Sequence, residues 1–346
     1  MNPLMWTIFI TSLSTSTVIT MISHHWLLAW IGLELNTLSM LPIIMKTKHP
    51  RATEAATKYF IAQTSAAAII LFASTLNAWQ TGHWSITNPN STTTTTMVTL
   101  ALALKLGLAP MHFWFPEVLQ GTTMNTAMVI STWQKIAPLS LLLLTMSQLP
   151  INTALVLGLL SVMVGGWTGM NQTQTRKIMA FSSIAHVGWL ITALTITPTL
   201  TTLTLLIYMV MTITMFSSLN TTTTKTLKDL GTNWTHSTPT MMMTMLALLS
   251  LGGLPPLTGF MPKWLILTEL TQTGLSTLCI MMALASLPSL YFYIRMCYLT
   301  MLTAPPNTTA TEHKWRIKTN HQKILTPMIT ATTLLLPITP MLYNTT

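Results

Sequence analysis

The sequence predicts an all-α polytopic membrane protein with about eleven transmembrane helices. We expect two inverted five-helix repeats, each with a broken helix, followed by a C-terminal helix. Three observations support this fold class: an apolar composition, recurring apolar windows of helical length, and basic residues confined to alternate loops. Half of the 346 residues are hydrophobic, only 6% are charged, and the mean hydropathy is +0.55. Soluble domains carry about 25% charged residues, so this chain cannot supply the surface of a soluble fold.

The positive charge does not indicate nucleic-acid binding. The formal net charge is +10, but the basic residues lie in short loops and form no stripe or arm, so we expect no nucleic-acid partner. Cys279 and Cys297 lie in or beside apolar segments without the spacing of a metal or disulfide motif. We therefore interpret both cysteines as inert packing or lipid-facing residues.

Apolar windows of about twenty residues, long enough to cross a hydrocarbon core of roughly 30 Å, define the expected helices in order. The first window lacks the basic start and the cleavage site of a signal peptide, so we expect a membrane helix there. The expected spans are residues 3–22, 25–45, 59–79, 95–115, 124–146, 152–170, 178–196, 200–219, 241–270, 275–297 and 324–343.

The loops alternate in charge. Loops after odd-numbered spans contain no Lys or Arg, whereas basic loops follow the second, sixth, eighth and tenth spans. By the positive-inside rule, the basic loops and the N-terminus face the compartment of synthesis, and the C-terminus lies on the opposite side. The basic loops are KTKHPRATEAATK (46–58), NQTQTRK (171–177), NTTTTKTLKDLGTNWTHS (220–237) and EHKWRIKTNHQK (312–323).

Two of the expected spans are interrupted. The fourth contains GLAPMHFWFP (107–116) and the ninth contains GGLPPLTGFMPK (252–263), where proline removes helix hydrogen bonds and glycine relaxes the backbone. Broken backbone at membrane depth must be buried in protein or line a wet cavity. The two interrupted spans are five spans apart, and five is an odd number. Spans one to five and spans six to ten would therefore cross the membrane in opposite directions, which is typical of an inverted repeat. We expect repeats at 1–150 and 151–300 in one membrane domain, with a loop and C-terminal helix at 301–346.

Four ionisable residues lie inside the expected spans: Glu34, Lys105, Lys135 and Lys263. Insertion of one central charge costs about 2.5–3.5 kcal/mol. Burial disfavours the charged form of a lysine and an adjacent carboxylate favours it, so such a lysine can gain and lose a proton. These residues are candidates for a proton relay. The alternative is that Glu34 and one lysine form a structural pair that holds helices together.

Other embedded polar residues carry weaker signals. His112 and His186 are candidate relay members or water organisers, but a lone histidine on an apolar segment is also a common packing residue. Glu269 and Arg295 lie near span ends, where we favour anchoring or pairing roles. The chain has no phosphate-binding glycine loop, dinucleotide fingerprint, nucleophile elbow or paired haem histidines. We therefore expect no redox site, cofactor or metal in this chain.

Four separated motifs resemble the antiporter-like membrane subunits of respiratory complex I, and the resemblance runs along essentially the whole chain. Longer members of that family carry additional N-terminal helices, and this chain resembles the shorter animal forms. The motifs are KLGLAPMHFWFPEV (105–118), STWQKIAPLSLL (131–142), MAFSSIAHVGW (179–189) and SLGGLPPLTGFMPKW (250–264), preceded by HHWLLAWIGLELNTLSMLPII (24–44).

The resemblance implies roles for individual residues. Glu34 would be a modulating glutamate, Lys105 its partner on the broken helix, Lys135 a central lysine that passes the proton onward, and Lys263 the terminal residue of the second broken helix. His112 and His186 match family positions less closely.

The resemblance also implies a function: proton pumping across the mitochondrial inner membrane, as a subunit of NADH:ubiquinone reductase. The N-terminus would face the matrix and the C-terminus the intermembrane space. NADH, FMN, iron–sulfur clusters and ubiquinone would belong to other subunits. Expected partners are other complex I membrane subunits, including neighbouring antiporter-like subunits, and phospholipids. A cation/proton antiporter subunit and a structural membrane scaffold remain alternatives, and a quinone-reducing enzyme is a weaker one.

Overall fold

The computed structural model describes residues 3–87, 91–232, 238–301, 316 and 325–345. These residues form helices and connecting turns, with two isolated β-bridges between His25 and Ser85 and between Gln174 and Thr226. The all-α prediction is thus confirmed for the described part of the chain. The chain divides into two compact units, Met1–Ser161 and Val162–Thr346.

Eight helical segments within the described residues are long and apolar enough to cross a membrane. The prediction of a polytopic membrane protein is therefore confirmed, while the count of about eleven spans stays a prediction. The eight segments are Pro3–Ile22, Trp26–Thr47, Pro50–Thr81, Met124–Leu144, Ile151–Met170, Thr175–Ile196, Pro198–Thr221 and Ser276–Met301.

The first unit contains seven α-helices and the beginning of an eighth in its described residues. They are α1 (Pro3–Ile22), α2 (Trp26–Ile44), α3 (Pro50–Thr81), α4 (Thr92–Leu106), α5 (Trp114–Gly121), α6 (Met124–Ser131), α7 (Ile136–Leu144) and α8 (Ile151–Met170).

Helix α3 begins nine residues before the expected third span, so much of the predicted basic loop 46–58 is helical. His49 caps the helix by accepting the N–H of Arg51, and Pro50 occupies the first turn, where its missing N–H costs no helix bond. Lys58 pairs with Glu54 one turn away at 2.6 Å, a spacing that supports helices. The apolar window missed this segment because its residues are polar, not because they disfavour helix.

The predicted interruption of the fourth span lies between α4 and α5. Gly107 adopts a left-handed conformation, with φ of +74°, that glycine tolerates best. The N–H of Leu108 then reaches back to the carbonyl of Ala103 at 3.0 Å, a Schellman-type helix end. Pro110 follows closely and cannot continue the helix.

A further interruption in the fifth span was not predicted. Helix α6 ends at Ser131, a 3-10 turn covers Trp133–Lys135, and α7 continues from Ile136. Pro138 has no N–H to donate to the carbonyl four residues earlier, which weakens the α-helical ladder at this turn. No glycine marks the site in the sequence.

The second unit holds the remainder of α8 and eight further α-helices in its described residues. They are α9 (Thr175–Ile196), α10 (Pro198–Thr221), α11 (Leu227–Thr232), α12 (Thr238–Gly252), α13 (Phe260–Gln272), α14 (Ser276–Met301), α15 (Leu325–Leu334) and α16 (Thr339–Thr345).

The predicted interruption of the ninth span separates α12 from α13. Gly253 has a φ of +80°, and the N–H of Leu254 bonds the carbonyl of Leu249, which is the same Schellman pattern as in the first unit. Gly259 packs directly on α12: a Cβ built on it would lie 1.7 Å from the carbonyl oxygen of Ser250.

Parts of the predicted topology fall outside the described residues. The basic loop 312–323 does so except for Arg316, and so do residues 88–90 and 233–237 of two other predicted loops. Cys279 is partly buried, Cys297 is buried, and neither forms a disulfide.

Candidate functional site

Lys105 lies in the last turn of α4, immediately before the break, with a buried side chain. Its Nζ has no hydrogen-bond partner among the described residues. The backbone beside it is fixed, because Gln63 Nε2 donates to the Lys105 carbonyl at 3.3 Å and Trp114 Nε1 donates to the Leu104 carbonyl at 3.0 Å. An ammonium held in this position lacks direct compensation, which makes its charged state costly.

Glu34 supplies a negative charge near Lys105. It lies in the middle of α2, is partly buried, and acts electrostatically on both Lys105 and Tyr59. Its Oε2 accepts a hydrogen bond from Thr37 Oγ1 at 3.1 Å. Glu34 therefore accepts a hydrogen bond from a residue on its own helix, and it interacts electrostatically with Lys105 without a hydrogen bond between the two side chains.

A chain of amide and phenol groups crosses the same region. Tyr59 OH donates to Gln134 Oε1 at 3.3 Å, and Gln134 Nε2 donates to Asn36 Oδ1 at 3.0 Å. Asn36 follows Glu34 by two residues, and Gln134 directly precedes Lys135. Our sequence reasoning missed these residues because it considered only ionisable groups, although amides inside apolar spans are also unusual enough to be a signal.

Lys135 occupies the 3-10 turn between α6 and α7 and is buried. Its Nζ lies 5.2 Å from the centroid of the Phe115 ring, within the range of a cation–π contact. Phe115 also packs against the helix break, because a Cβ on Gly107 would lie 3.2 Å from Phe115 Cβ. One aromatic side chain thus contacts both Lys135 and the backbone that follows Lys105.

His112 lies inside the break and is buried. Its Nδ1 is 3.3 Å from the Pro110 carbonyl, and its ring centroid is 4.4 Å from that of Phe113. The His112 carbonyl accepts the N–H of Phe115 at 3.0 Å. His112 therefore helps to position the aromatic residue that contacts Lys135.

In the second unit, the side chain of Lys263 bridges the break between α12 and α13. It lies in the first turn of α13, is partly buried, and donates from Nζ to the Gly252 carbonyl at 2.9 Å. That carbonyl belongs to the last residue of α12, where a cation is favoured by the helix dipole. A Cβ on Gly253 would lie 3.0 Å from Nζ, so the glycine leaves room for the lysine.

His186 lies on α9 between two buried tyrosines. Its Nε2 is 3.4 Å from Tyr293 OH, and its ring centroid is 5.6 Å from that of Tyr208. Tyr208 and Tyr293 are both buried, at 2% and 1% exposure. The result is a cluster of hydroxyl and imidazole groups that can exchange protons. The sequence identified only His186 of this cluster, and the two tyrosines were missed.

The tyrosine cluster approaches the region of Lys263. The Tyr293 ring lies 3.9 Å from a Cβ built on Gly252, whose carbonyl holds Lys263. The structure therefore brings Glu34, Lys105 and Lys135 into one region of the first unit, and His186 and Lys263 into one region of the second.

The residues near the span ends behave differently. Arg295 Nη1 donates to the carbonyl of Met170, the last residue of α8, at 2.8 Å, which is an anchoring contact at a helix C-terminus. Glu269 lies in the last turn of α13 and is partly buried. Within the described ranges, no group of three or more His, Cys, Asp or Glu side chains could hold a metal ion.

These features define an antiporter-like membrane protein. The sequence matches the family described as NADH:quinone oxidoreductase/Mrp antiporter, transmembrane, over residues 23–289, and the family described as NADH dehydrogenase subunit 2 C-terminus over residues 290–343. The chain therefore belongs to the NADH:quinone oxidoreductase/Mrp antiporter family, which confirms the resemblance drawn from its motifs.

The similarity to individual members spans the full length. NADH-ubiquinone oxidoreductase chain 2 of Carassius auratus is 51% identical over 347 residues, covering 100% of both chains. A chain in the structure of respiratory complex I from Thermus thermophilus with bound aureothin is 26% identical, with a TM-score of 0.85 over 98% of this chain and 78% of that one. A chain of the Mrp complex from Dietzia sp. DQ12-45-1b shares the fold at 14% identity, with a TM-score of 0.81 over 97% and 75%.

Proposed function

We propose that this chain is a proton-translocating, antiporter-like subunit of NADH:ubiquinone oxidoreductase. The proposal rests on full-length similarity to a relative named NADH-ubiquinone oxidoreductase chain 2 and on the fold shared with a respiratory complex I chain. The subunit contributes no redox chemistry itself. It couples electron transfer in other subunits, where the NADH, FMN, iron–sulfur and ubiquinone sites belong, to proton movement across the mitochondrial inner membrane.

The observation that carries the proposal is the environment of Lys105. Its ammonium is buried, has no hydrogen-bond partner among the described residues, and interacts with Glu34 through the electrostatic field alone. Charges in an apolar medium are weakly screened, so a change at Glu34 alters the free energy of protonating Lys105. A purely structural pair would gain more from direct contact, because an incompletely compensated buried charge destabilises the fold.

The other candidate residues receive roles on the same reasoning. Glu34 modulates Lys105, and Lys135 accepts or releases the proton beside Phe115. In the second unit, Lys263 is the protonatable group at the break, and the cluster around His186 supplies it with exchangeable protons. His112 positions Phe115 and is also a secondary relay member.

We further infer two inverted repeats at residues 1–150 and 151–300, with a loop and C-terminal helix at 301–346, and about eleven spans in total. The shared Schellman geometry of the two predicted breaks supports this, since Leu108 bonds Ala103 and Leu254 bonds Leu249 with the same spacing. The alternation of basic loops supports a matrix N-terminus and an intermembrane-space C-terminus.

The proposed partners are other complex I membrane subunits, neighbouring antiporter-like subunits among them, and phospholipids. Many large apolar side chains are exposed in the isolated chain, including Trp79 at 83% and Phe113 at 72%. Exposed apolar surface on this scale requires lipid or protein neighbours.

The test is Glu34→Gln in the assembled enzyme, which keeps the side-chain shape and removes the charge. NADH oxidation and proton uptake are measured together in sealed vesicles, with the exposed Glu54→Gln as the matched control. We expect proton uptake to fall by about tenfold or more, equivalent to at least about 1.4 kcal/mol, with assembly intact. Normal uptake in Glu34→Gln would contradict the proposal, and loss of assembly with normal uptake in the residual complex would favour a scaffold.

A further inference from the structure

An apolar cavity of about 200 Å³ lies in the second unit between α10, α15 and the second helix break. Side chains of α10 from Leu203 to Val210 form one wall, and Ala331 and Leu335 of α15 form another. Among the described residues the lining is aliphatic except for Thr258, which lies in the break. The volume exceeds the roughly 150 Å³ of an apolar cavity that stays dry and binds a benzene-sized ligand.

The single polar side chain of this described lining is already satisfied. Thr258 Oγ1 donates to the carbonyl of Thr332 on α15 at 2.7 Å. A water molecule in the cavity would need two to four polar partners, and the aliphatic side chains offer none. The cavity therefore suits an apolar occupant, whose atoms would supply the dispersion contacts that an empty void forgoes.

The cavity lies at the depth of the lipid hydrocarbon chains. Helix α10 has 24 residues, and Leu203 and Val210 are about 8 and 18 Å along it from its first residue. Both positions fall within a hydrocarbon core of roughly 30 Å. Leu206, between them, is 50% exposed, so the cavity opens on the flank of the helix and not at its end. The space is thus continuous with the region that lipid chains occupy.

The size of the cavity favours a lipid chain over a side chain of a neighbouring subunit. A single aliphatic side chain that reached in from another helix would leave much of the volume empty, and voids of this size are disfavoured. A flexible chain of methylene groups can enter from the bilayer and follow the space between α10 and α15. Each methylene that it buries adds to the dispersion contacts.

The lining also includes part of the second break. Thr258 links this segment to α15, its carbonyl accepts the N–H of Met261 at 3.3 Å, and the next residue, Gly259, packs on α12. Lys263 follows Thr258 by five residues. An occupant that keeps α10 and α15 at their present spacing therefore also supports the segment that positions this lysine.

We propose that the cavity binds an acyl chain of a membrane phospholipid, and that this chain supports the second helix break. The inference goes beyond the proposed function, because it assigns a lipid site and no proton step passes through it. The bound chain fills the space between α10 and α15, and its contacts hold Thr258 in place. Loss of the chain leaves the break free to open.

Retention of a labelled lipid tests the binding. Assembled enzyme is equilibrated in vesicles of phosphatidylcholine that carries a photoactivatable diazirine in one acyl chain, and is then transferred to unlabelled phosphatidylcholine before illumination. We expect cross-links at Leu206 and Leu335 to persist after transfer. Cross-links at Leu284, which is 56% exposed on α14, should fall to background because bulk lipid exchanges freely. Equal retention at the two places, high or low, overturns the proposal.

Hydrogen exchange tests the effect on the break. The N–H groups of Leu257, Phe260 and Met261 make hydrogen bonds within the break, so a peptide covering residues 254–261 reports its opening. In delipidated wild-type enzyme we expect this peptide to exchange severalfold faster, and added phosphatidylcholine to restore the slow rate. An exchange rate that does not depend on lipid overturns the proposal. Recovery in detergent alone also overturns it, because the cavity would then accept any apolar additive.

A variant that fills the cavity separates the lipid site from a general effect of delipidation. In Ala331→Phe the ring occupies part of the lipid space, so we expect little retained label and slow exchange of the break with or without lipid. Val210→Phe serves the same purpose if Ala331→Phe assembles poorly. The matched control is Leu284→Phe, outside the cavity, which should respond to delipidation as the wild type does. Wild-type retention and lipid dependence in the filled variant would contradict the assignment of this cavity.

Discussion

At the scale of single residues, the chain places protonatable groups where their charge is costly and then compensates them only in part. Lys105 interacts electrostatically with Glu34 but has no hydrogen-bond partner for its Nζ among the described residues, and Lys263 donates to the Gly252 carbonyl. Partial compensation keeps the charged and neutral forms close in free energy. A group in this condition responds to small changes in its surroundings, as a relay requires.

The hydroxyl of Tyr293 provides a residue-scale prediction. Tyr293→Phe keeps the packed ring and removes the group 3.4 Å from His186 Nε2. We expect the stability to fall by only about 1 kcal/mol but proton uptake per NADH to decrease, because the histidine loses its exchange partner.

The control for this prediction lies on the same helix. Tyr298→Phe removes a hydroxyl from a side chain that is 54% exposed, so its uptake should stay at the wild-type value. Equal uptake in the two variants would show that the tyrosine cluster serves only packing.

The ionisable residues of the site could be predicted from sequence, whereas their neutral partners were missed. Glu34, Lys105, Lys135 and Lys263 stand out because charges are rare in apolar spans. Tyr293 and Phe115 do not stand out, since their residue types are common in membrane helices and their contacts depend on partners far away in the chain, whereas Gln134 could have been noticed as an amide inside an apolar span. Their significance comes from contacts such as the 5.2 Å between Lys135 Nζ and Phe115, which only the fold creates.

At the scale of secondary-structure elements, the breaks set the positions of the lysines. Gly107 and Gly253 both adopt positive φ and both end a helix, so glycine followed by proline sufficed to predict these two breaks from sequence. The turn at Lys135 escaped prediction because only Pro138 marks it among strong helix formers. Proline is tolerated in many membrane helices, so it does not identify a break by itself.

Gly259 provides an element-scale prediction. In Gly259→Ala the new Cβ would overlap the Ser250 carbonyl oxygen at 1.7 Å, and backbone cannot move aside as a flexible side chain can. We expect α13 to shift away from α12, a loss of about 3 kcal/mol or more, and poor assembly on native gels.

The matched variant is Gly252→Ala at the neighbouring helix end. Its Cβ would lie no closer than 3.9 Å to Tyr293, and alanine favours helix over glycine, so its assembly should match the wild type. Normal assembly and thermal stability of Gly259→Ala would show that the packing of the second break is looser than described.

At the scale of the whole molecule, each unit contains a broken helix with a lysine beside the break. Composition and loop charge alone predicted the membrane class, because physical limits on charge in lipid leave few alternatives. They could not define every helix boundary, as α3 shows, since polar residues such as Arg51 and Glu54 continue a helix beyond its apolar part. Four motifs in order predicted the family, which the match over residues 23–289 confirmed.

The central claim is that Lys105 carries protons rather than holding helices together. The measurement uses assembled enzyme in sealed vesicles with Lys105→Met, which keeps side-chain length and removes the charge, beside Lys228→Met on the exposed face of α11. NADH oxidation and proton uptake are recorded simultaneously. The account predicts that Lys105→Met assembles but loses both pumping and coupled turnover, while Lys228→Met matches the wild type. Pumping near the wild-type rate in Lys105→Met would contradict the account.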